Sequence, residues 1–398
     1  MIKGLRRVFD HLYKTVDHKY HPVVESFDTI HFTPNLITKS GSHIRDAADL
    51  KRTMMFVIFA MIPCLLFGMW NVGDQHVQAA MANGAELEGW ILPTFGSGFW
   101  GKFLYGASGV LPLVIVSYVV GLAVEFVFGI IKGHSLHEGY LVSGLLIPLI
   151  MPIEVPLWQV AIAVIFAVVV AKEVFGGTGM NVINVALTAR AFIFFAHPNS
   201  MIGDKVWVDG FSGETSLGKL ATKINDSAAL EQFSNDTFMS TILGVEAGSI
   251  GETSVVAILL GAAFLLITGV GSWRIMLSFF LGGLSLAYIF NLVGPGIDNY
   301  YMQLNPFHLL FLGSFMFGMV FMVTDPVSAA QTNTGKYIYG FLAGFLSILI
   351  RVLNPAYPEG VMLGILIANV FAPTIDHYVI QANINKRKKR AKLAATAA

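Results

Sequence analysis

Four groups of residues have the types and spacing to do chemistry. In "VDGFSGETSLGK", at 207–218, Asp209-Gly210-x-Ser212-Gly213-x-Thr215 sets an acid, two flexible glycines and a hydroxyl on one polar stretch. The same Thr, just ahead of "LGKLATKI", suits a helix N-cap that accepts from unpaired backbone N–H groups. In "GGTGMNVINVALTARAF", at 176–192, Gly176, Gly177 and Gly179 permit a tight turn, and Asn181 and Asn184 fall three apart on one helical face. Two amides facing a bundle interior can hydrogen-bond an organic ligand, or they can be no more than a polar helix start.

The third group is acidic. Glu125, Asp325 and Asp376 lie in or beside long apolar runs, where an ionised group is costly and points to a ligand or ion path. Asp376, with Pro373 one turn earlier, reads equally as an end-of-helix acid beside His377 and the basic tail. The fourth group is "KGHSLHEGYLVSG", at 132–144, with His134, His137, Glu138, Gly139 and Tyr140 between apolar segments. It is either a solvated turn or a set of donors for a polar head group at the membrane boundary.

The elements that position these groups are membrane helices. Apolar residues are 55% of the 398 and charged residues 13%, a balance that water-soluble domains do not show. Several runs approach the roughly 20 apolar residues that cross a bilayer as a helix. The one cysteine, Cys64, excludes intrachain disulfides and an iron–sulfur cluster ligated by this chain alone. His308 and His377 have no evident haem-ligand relationship, so any electrons handled here need an organic cofactor.

Ten spans are expected, at about 53–72, 104–131, 139–153, 156–171, 182–197, 254–270, 275–294, 306–323, 337–351 and 360–380. Pro148, Pro152 and Pro156 break the third and fourth, as in discontinuous helices that line a cavity. The fold class is therefore an all-α integral membrane protein. A five-plus-five inverted repeat is a further expectation, with 172–184 and 323–336 in comparable places. Residues 1–52 form an extension whose "GLRRVFDHLYKTV" suits a helix on the membrane surface. The two membrane halves are 53–197 and 253–380, a loop at 198–252 lies between them, and 381–398 is a basic tail.

With the N-terminus inside, nineteen of the 25 Lys and Arg fall on the cytoplasmic side. Both termini are then cytoplasmic, and Thr215 lies on the opposite face. Arg190, within a span, is expected to be a counter-charge to one of the acids named above.

The 209–215 stretch resembles the flavinylation motif D-x-x-[ST]-G-A-T of the membrane flavoproteins in the sodium-translocating NADH:quinone reductase and the related Rnf complex. "KEVFGGTG", "RAFIFFAHP", "TDPVSA", "RVLNPAYPEG" and "FAPTIDH" resemble, in order, the hallmarks of the B-subunit family of that reductase, from about Phe32 to Asn385. The resemblance implies FMN joined to Thr215 by a phosphoester and a second, non-covalent flavin, riboflavin, for which Asn181 and Asn184 are the candidates. It also implies quinone reduction near Gly121, His134, Glu138, Gly139 and Tyr140, and sodium uptake at Glu125, Asp325 and Asp376. Glu214 stands where the family pattern has Ala, and Leu122 where it has a second Gly. A carboxylate beside a phosphate repels it, so attachment is expected to be slower here.

The expected function is that of a membrane flavoprotein subunit of a bacterial inner membrane complex, passing electrons from FMN through riboflavin to a quinone with coupled sodium export. Its partners would be a flavoprotein subunit on the periplasmic side, a cytoplasmic NADH-oxidising subunit and membrane lipid, with no nucleic acid. No glycine-rich dinucleotide fold is present, so NADH binds elsewhere. An Rnf-type subunit, a solute channel or transporter, and a scaffold are the alternatives.

Overall fold

The computed structural model describes residues 2–17, 20–21, 24–25, 28, 32, 38, 40–42, 50–82, 98–132, 139–201, 215–222, 227–297, 299–354 and 360–397. Among them there are helices and no strand. The amphipathic start forms α1 (Ile2–Thr15). Five helices are long and apolar enough to cross a membrane: α2 (Leu50–Ala82), α3 (Phe99–Lys132), α10 (Trp273–Val293), α14 (Asn333–Leu353) and α15 (Val361–Ala397). At about 1.5 Å per residue, even a 21-residue helix covers the roughly 30 Å of hydrocarbon. The protein is a helical membrane protein.

The other apolar elements are short. They comprise α4 (Tyr140–Leu149), α5 (Leu157–Phe166) running on as a π-helical segment (Ala167–Glu173), α6 (Val185–Ala196) and α9 (Val255–Ile267). Between α6 and α9 lie α7 (Ser216–Thr222) and α8 (Ser227–Leu243), and between α10 and α14 lie α11 (Tyr300–Gln303), α12 (Pro306–Phe311) and α13 (Phe315–Phe317), the last continuing as a π-helical segment (Gly318–Met322). Every expected apolar run thus contains helix. Several of these pieces, however, are shorter than a bilayer crossing.

The breaks fall where proline forbids continuation. Pro148 sits in the last turn of α4, and Pro152 and Pro156 follow before α5. The irregular backbone between them is partly buried, with Met151 and Val155 in the core and Glu154 exposed. Its polar groups are met by the segment before α9, since Gly251 N–H donates to Leu149 O at 2.7 Å and Ile250 N–H to Met151 O at 3.3 Å. That pairing pulls residues 249–252 into the bundle.

Small residues let the long helices close up. A Cβ at Gly344 would collide with the backbone of Phe279, so α10 and α14 touch main chain to main chain. The basic tail is helical, since α15 continues through it to Ala397. Each of 172–184 and 323–336 begins at the end of, or just after, a π-helical segment and leads into a helix, α6 in one case and α14 in the other. They are also neighbours in space.

Candidate functional site

Where those two segments meet, a cavity with about 760 Å³ of space between atoms opens at one end of the bundle. Its polar lining includes Ser143, Lys172, Thr178, Asn181, Asn184 and Asp325, and its apolar lining includes Met54, Val57, Leu265 and Phe321. Gly176, Gly177 and Gly179 adopt φ of 119°, 96° and 91°, a left-handed run that turns the chain from the π-helical segment toward α6. Asn184 then caps α6, its Oδ1 accepting from Leu187 N–H at 3.1 Å, while its Nδ2 donates to Asp325 Oδ2 at 3.4 Å. Asn181 Nδ2 donates to Ile183 O at 3.2 Å. Asp325, after the second π-helical segment, also accepts from Val327 N–H at 3.1 Å and Ser328 Oγ at 2.8 Å. Asn181, Asn184, Asp325 and Gly139, assigned to three different tasks by sequence, face one space.

Beside this cavity two ion pairs tie α3 to the first π-helical segment. Lys172 Nζ bonds Glu125 Oε1, both groups buried, and Lys132 Nζ bonds Glu173 Oε2 at 2.8 Å. Glu125 and Lys132 are two turns apart on α3, and consecutive residues of the π-helical segment reach both. Gly121, one turn before Glu125, lies against the ring of Tyr140, where a Cβ would clash. Tyr140 is fully buried and donates its hydroxyl to Ser117 O at 2.8 Å. It is therefore a packing residue in this conformation, and the donor expected of it for a quinone is already committed. His134, His137 and Glu138 lie outside the described residues.

A second cavity, with about 340 Å³ between atoms, is lined by Thr215, Ser216, Glu246, Ser249, Glu252, Thr253 and Gly313 among others. Thr215 is half-buried and is the N-cap of α7, with Oγ1 accepting from Gly218 N–H at 3.1 Å and its carbonyl from Lys219 N–H at 2.9 Å. The capping use of this residue is therefore realised. Next to it, Ser216 Oγ donates to Glu246 Oε2 at 2.6 Å, and Thr241 Oγ1 donates to the same oxygen at 3.1 Å. Burial pushes the Glu246 carboxyl up to about 7. Asp209, Gly210, Ser212, Gly213 and Glu214 lie outside the described residues.

Arg190 departs from expectation. Its guanidinium pairs with Glu252, at 3.0 and 3.1 Å to the two carboxylate oxygens, and also donates to Ser249 Oγ at 3.3 Å. None of Glu125, Asp325 or Asp376 is its partner in that pair, because the fold at 249–252 delivers a different acid. Asp376 instead holds the start of α14, accepting from Gln331 N–H at 2.6 Å, Thr332 N–H at 3.0 Å and Thr332 Oγ1 at 2.5 Å. His308 is buried against Ser234 and Thr237 on α8, whereas His377 is exposed.

Lys172, Glu173, Glu246 and Glu252 were not singled out from sequence. A Lys-Glu pair inside an apolar run is a signal that could have found the first two. Nothing local distinguishes Glu246 and Glu252 from ordinary loop acids.

Broken helices, a mainly apolar cavity with a few polar groups in its lining and paired charges among apolar helices are features of a polytopic membrane protein. The chain belongs to the NQR2, RnfD, RnfE family, whose profile matches residues 37–385. It is 46% identical over 387 residues to the Na(+)-translocating NADH-quinone reductase B-subunit of Ectopseudomonas mendocina, covering 94% of each chain. Proteins of the same name from Chromohalobacter salexigens and Yersinia pestis are 46% and 45% identical, with 94% of this chain covered in each case and 92% and 94% of the relatives.

Proposed function

We propose that this chain is the membrane flavoprotein subunit of a sodium-pumping NADH:quinone oxidoreductase, with FMN esterified to Thr215 and riboflavin held at Asn181 and Asn184. The observation that carries the reading is the inner cavity, an apolar space into which two amides converge beside a carboxylate. An uncharged, flat heterocycle with polar edges suits that lining. Relatives of the same printed name, matched over nearly the whole chain, support it. A flavin bound there supplies one- and two-electron transfer.

The chain's own residues do the rest. Asn184 offers the cavity an amide fixed by its helix cap, and Asn181 stands three residues earlier in the non-helical approach to α6. Met54, Val57, Leu265 and Phe321 give the same space its apolar walls. Thr215 offers an oxygen that accepts a hydrogen bond from Gly218, a role an ester oxygen can keep. Glu125, Asp325 and Asp376 supply oxygen ligands along a sodium path, and the segment 132–144 with Gly121 borders the quinone.

In this reading the helical elements make ten spans with both ends in the cytoplasm of a bacterial cell, and Thr215 lies on the periplasmic side. There it would receive electrons from a partner flavoprotein, NADH being oxidised by a cytoplasmic partner. The test is a denaturing gel viewed under ultraviolet light, with flavins extracted in parallel from the native complex. A fluorescent band that vanishes in Thr215→Ala, with riboflavin in the extract, is expected. A dark wild-type band and a flavin-free extract favour a solute channel.

A further inference from the structure

Lys172 lines the inner cavity, as Asp325 does, yet its ammonium is bonded to Glu125 on α3, outside the cavity lining. The side chains of Lys172 and Glu125 are only 5% and 3% exposed, so each is the other's counter-charge rather than water's. Across the cavity, Asp325 accepts from Asn184, Ser328 and the Val327 amide, all neutral donors, and among the described residues no cation pairs with it. Glu125 thus has the tethered cation, and Asp325 is held by neutral donors alone.

We propose that Lys172 is an internal cation that alternates between Glu125 and Asp325, so that a mobile monovalent cation gains Glu125 only when the ammonium leaves it. Before the exchange the ammonium neutralises Glu125 and Asp325 is held by neutral donors alone. After it the ammonium faces Asp325 and the incoming ion neutralises Glu125, so the site gains the single positive charge of that ion. Breaking a buried pair without replacement strands a charge, so departure of the ammonium and arrival of the ion must be linked.

The local structure suits this movement. Lys172 sits in a π-helical segment, a register in which functional distortions concentrate. Its neighbour Glu173 is pinned to Lys132 on α3 at 2.8 Å, which holds the backbone while the flexible four-carbon stem of Lys172 moves. The Tyr140 ring, 6.0 Å from Lys172 Nζ, gives the ammonium an aromatic face beside its path.

This inference rests on the proposed reading, in which Glu125 and Asp325 belong to the sodium path. The experiment titrates Na⁺ against quinone reduction by the assembled complex, with K⁺ holding ionic strength constant. The Na⁺-dependent rise in the thermal midpoint of the same complex serves as a measure independent of turnover. Lys172→Met removes the competitor, and the half-saturating Na⁺ should fall roughly ten-fold, a usual scale for site coupling. Lys172→Arg, which holds a carboxylate with a rigid fork, should raise it. In Lys172→Met/Glu125→Gln the gain should disappear.

A Lys172→Met complex that needs more Na⁺, or an Arg variant that needs no more than wild type, overturns the exchange. Should Lys172→Met fail to assemble, the Arg variant decides alone. A wild-type complex with no Na⁺ response at all would fail the sodium-pump reading itself, a separate result.

Discussion

Asn184 and Asp325 lie 141 residues apart in sequence, yet the amide of one donates to the carboxylate of the other at 3.4 Å. The contact joins the cap of α6 to the turn before α14 and fixes one edge of the inner cavity. Asn184→Ala should lose the cap, at about 1 kcal/mol, together with the cavity amide. Asn184→Asp keeps a capping oxygen but sets a second carboxylate against Asp325. Both variants should therefore release several-fold less riboflavin per protein on extraction, while in-gel fluorescence at Thr215 stays. Unchanged riboflavin in both removes Asn184 from the site.

Glu246 makes stability depend on pH. Burial raises its carboxyl from 4.5 to about 7 in the folded protein, so the native state holds a proton that the unfolded chain gives up. The contribution is complete below 4.5 and is lost as pH rises through about 7. The thermal midpoint should fall across that interval, and Glu246→Gln should flatten the fall. An identical slope in the Gln variant would place the titrating group elsewhere.

The Arg190–Glu252 pair is nearly sealed from solvent, with side chains 4% and 3% exposed. Arg190→Met strands a buried carboxylate and should cost about 3–5 kcal/mol, seen as a lower thermal midpoint and lower yield. Arg190→Met/Glu252→Gln should recover most of that loss. Failure of the double variant to recover would mean that Arg190 stabilises the fold through other contacts.

Asp376 has two candidate uses, and Thr332 separates them. Asp376→Ala and Thr332→Ala both weaken the start of α14, at about 1.5–3 kcal/mol for bonds to a charged group. If Asp376 also serves sodium, its variant should lose sodium stimulation of quinone reduction while Thr332→Ala keeps it. Equal loss in both would reduce Asp376 to a cap.

Local pattern was enough for the apolar helices, the proline breaks, the Thr215 cap and the amphipathic start, because each depends on residues within a few positions. Partnerships across the bundle were not legible. Arg190 finds Glu252, 62 residues on, only because the broken backbone at 149–151 pairs with 250–251 and draws that loop inward. The cavity was half visible: Asn181, Asn184 and Asp325 stood out as polar groups in apolar surroundings. Nothing in their spacing said that they share one space with Lys172. The burial of Tyr140 was not legible for a related reason, since it depends on Gly121, nineteen residues earlier, making room for the ring.

Attachment of FMN to Thr215 is tested most directly by the mass of the proteolytic peptide that contains it. The wild-type peptide should be heavier by one FMN less one water, and the Thr215→Ala peptide should have its unmodified mass. Glu214→Ala, which removes the neighbouring carboxylate, should raise the modified fraction wherever that fraction is incomplete. A wild-type peptide found only at its unmodified mass, in protein purified from cells that assemble the active complex, would contradict the attachment.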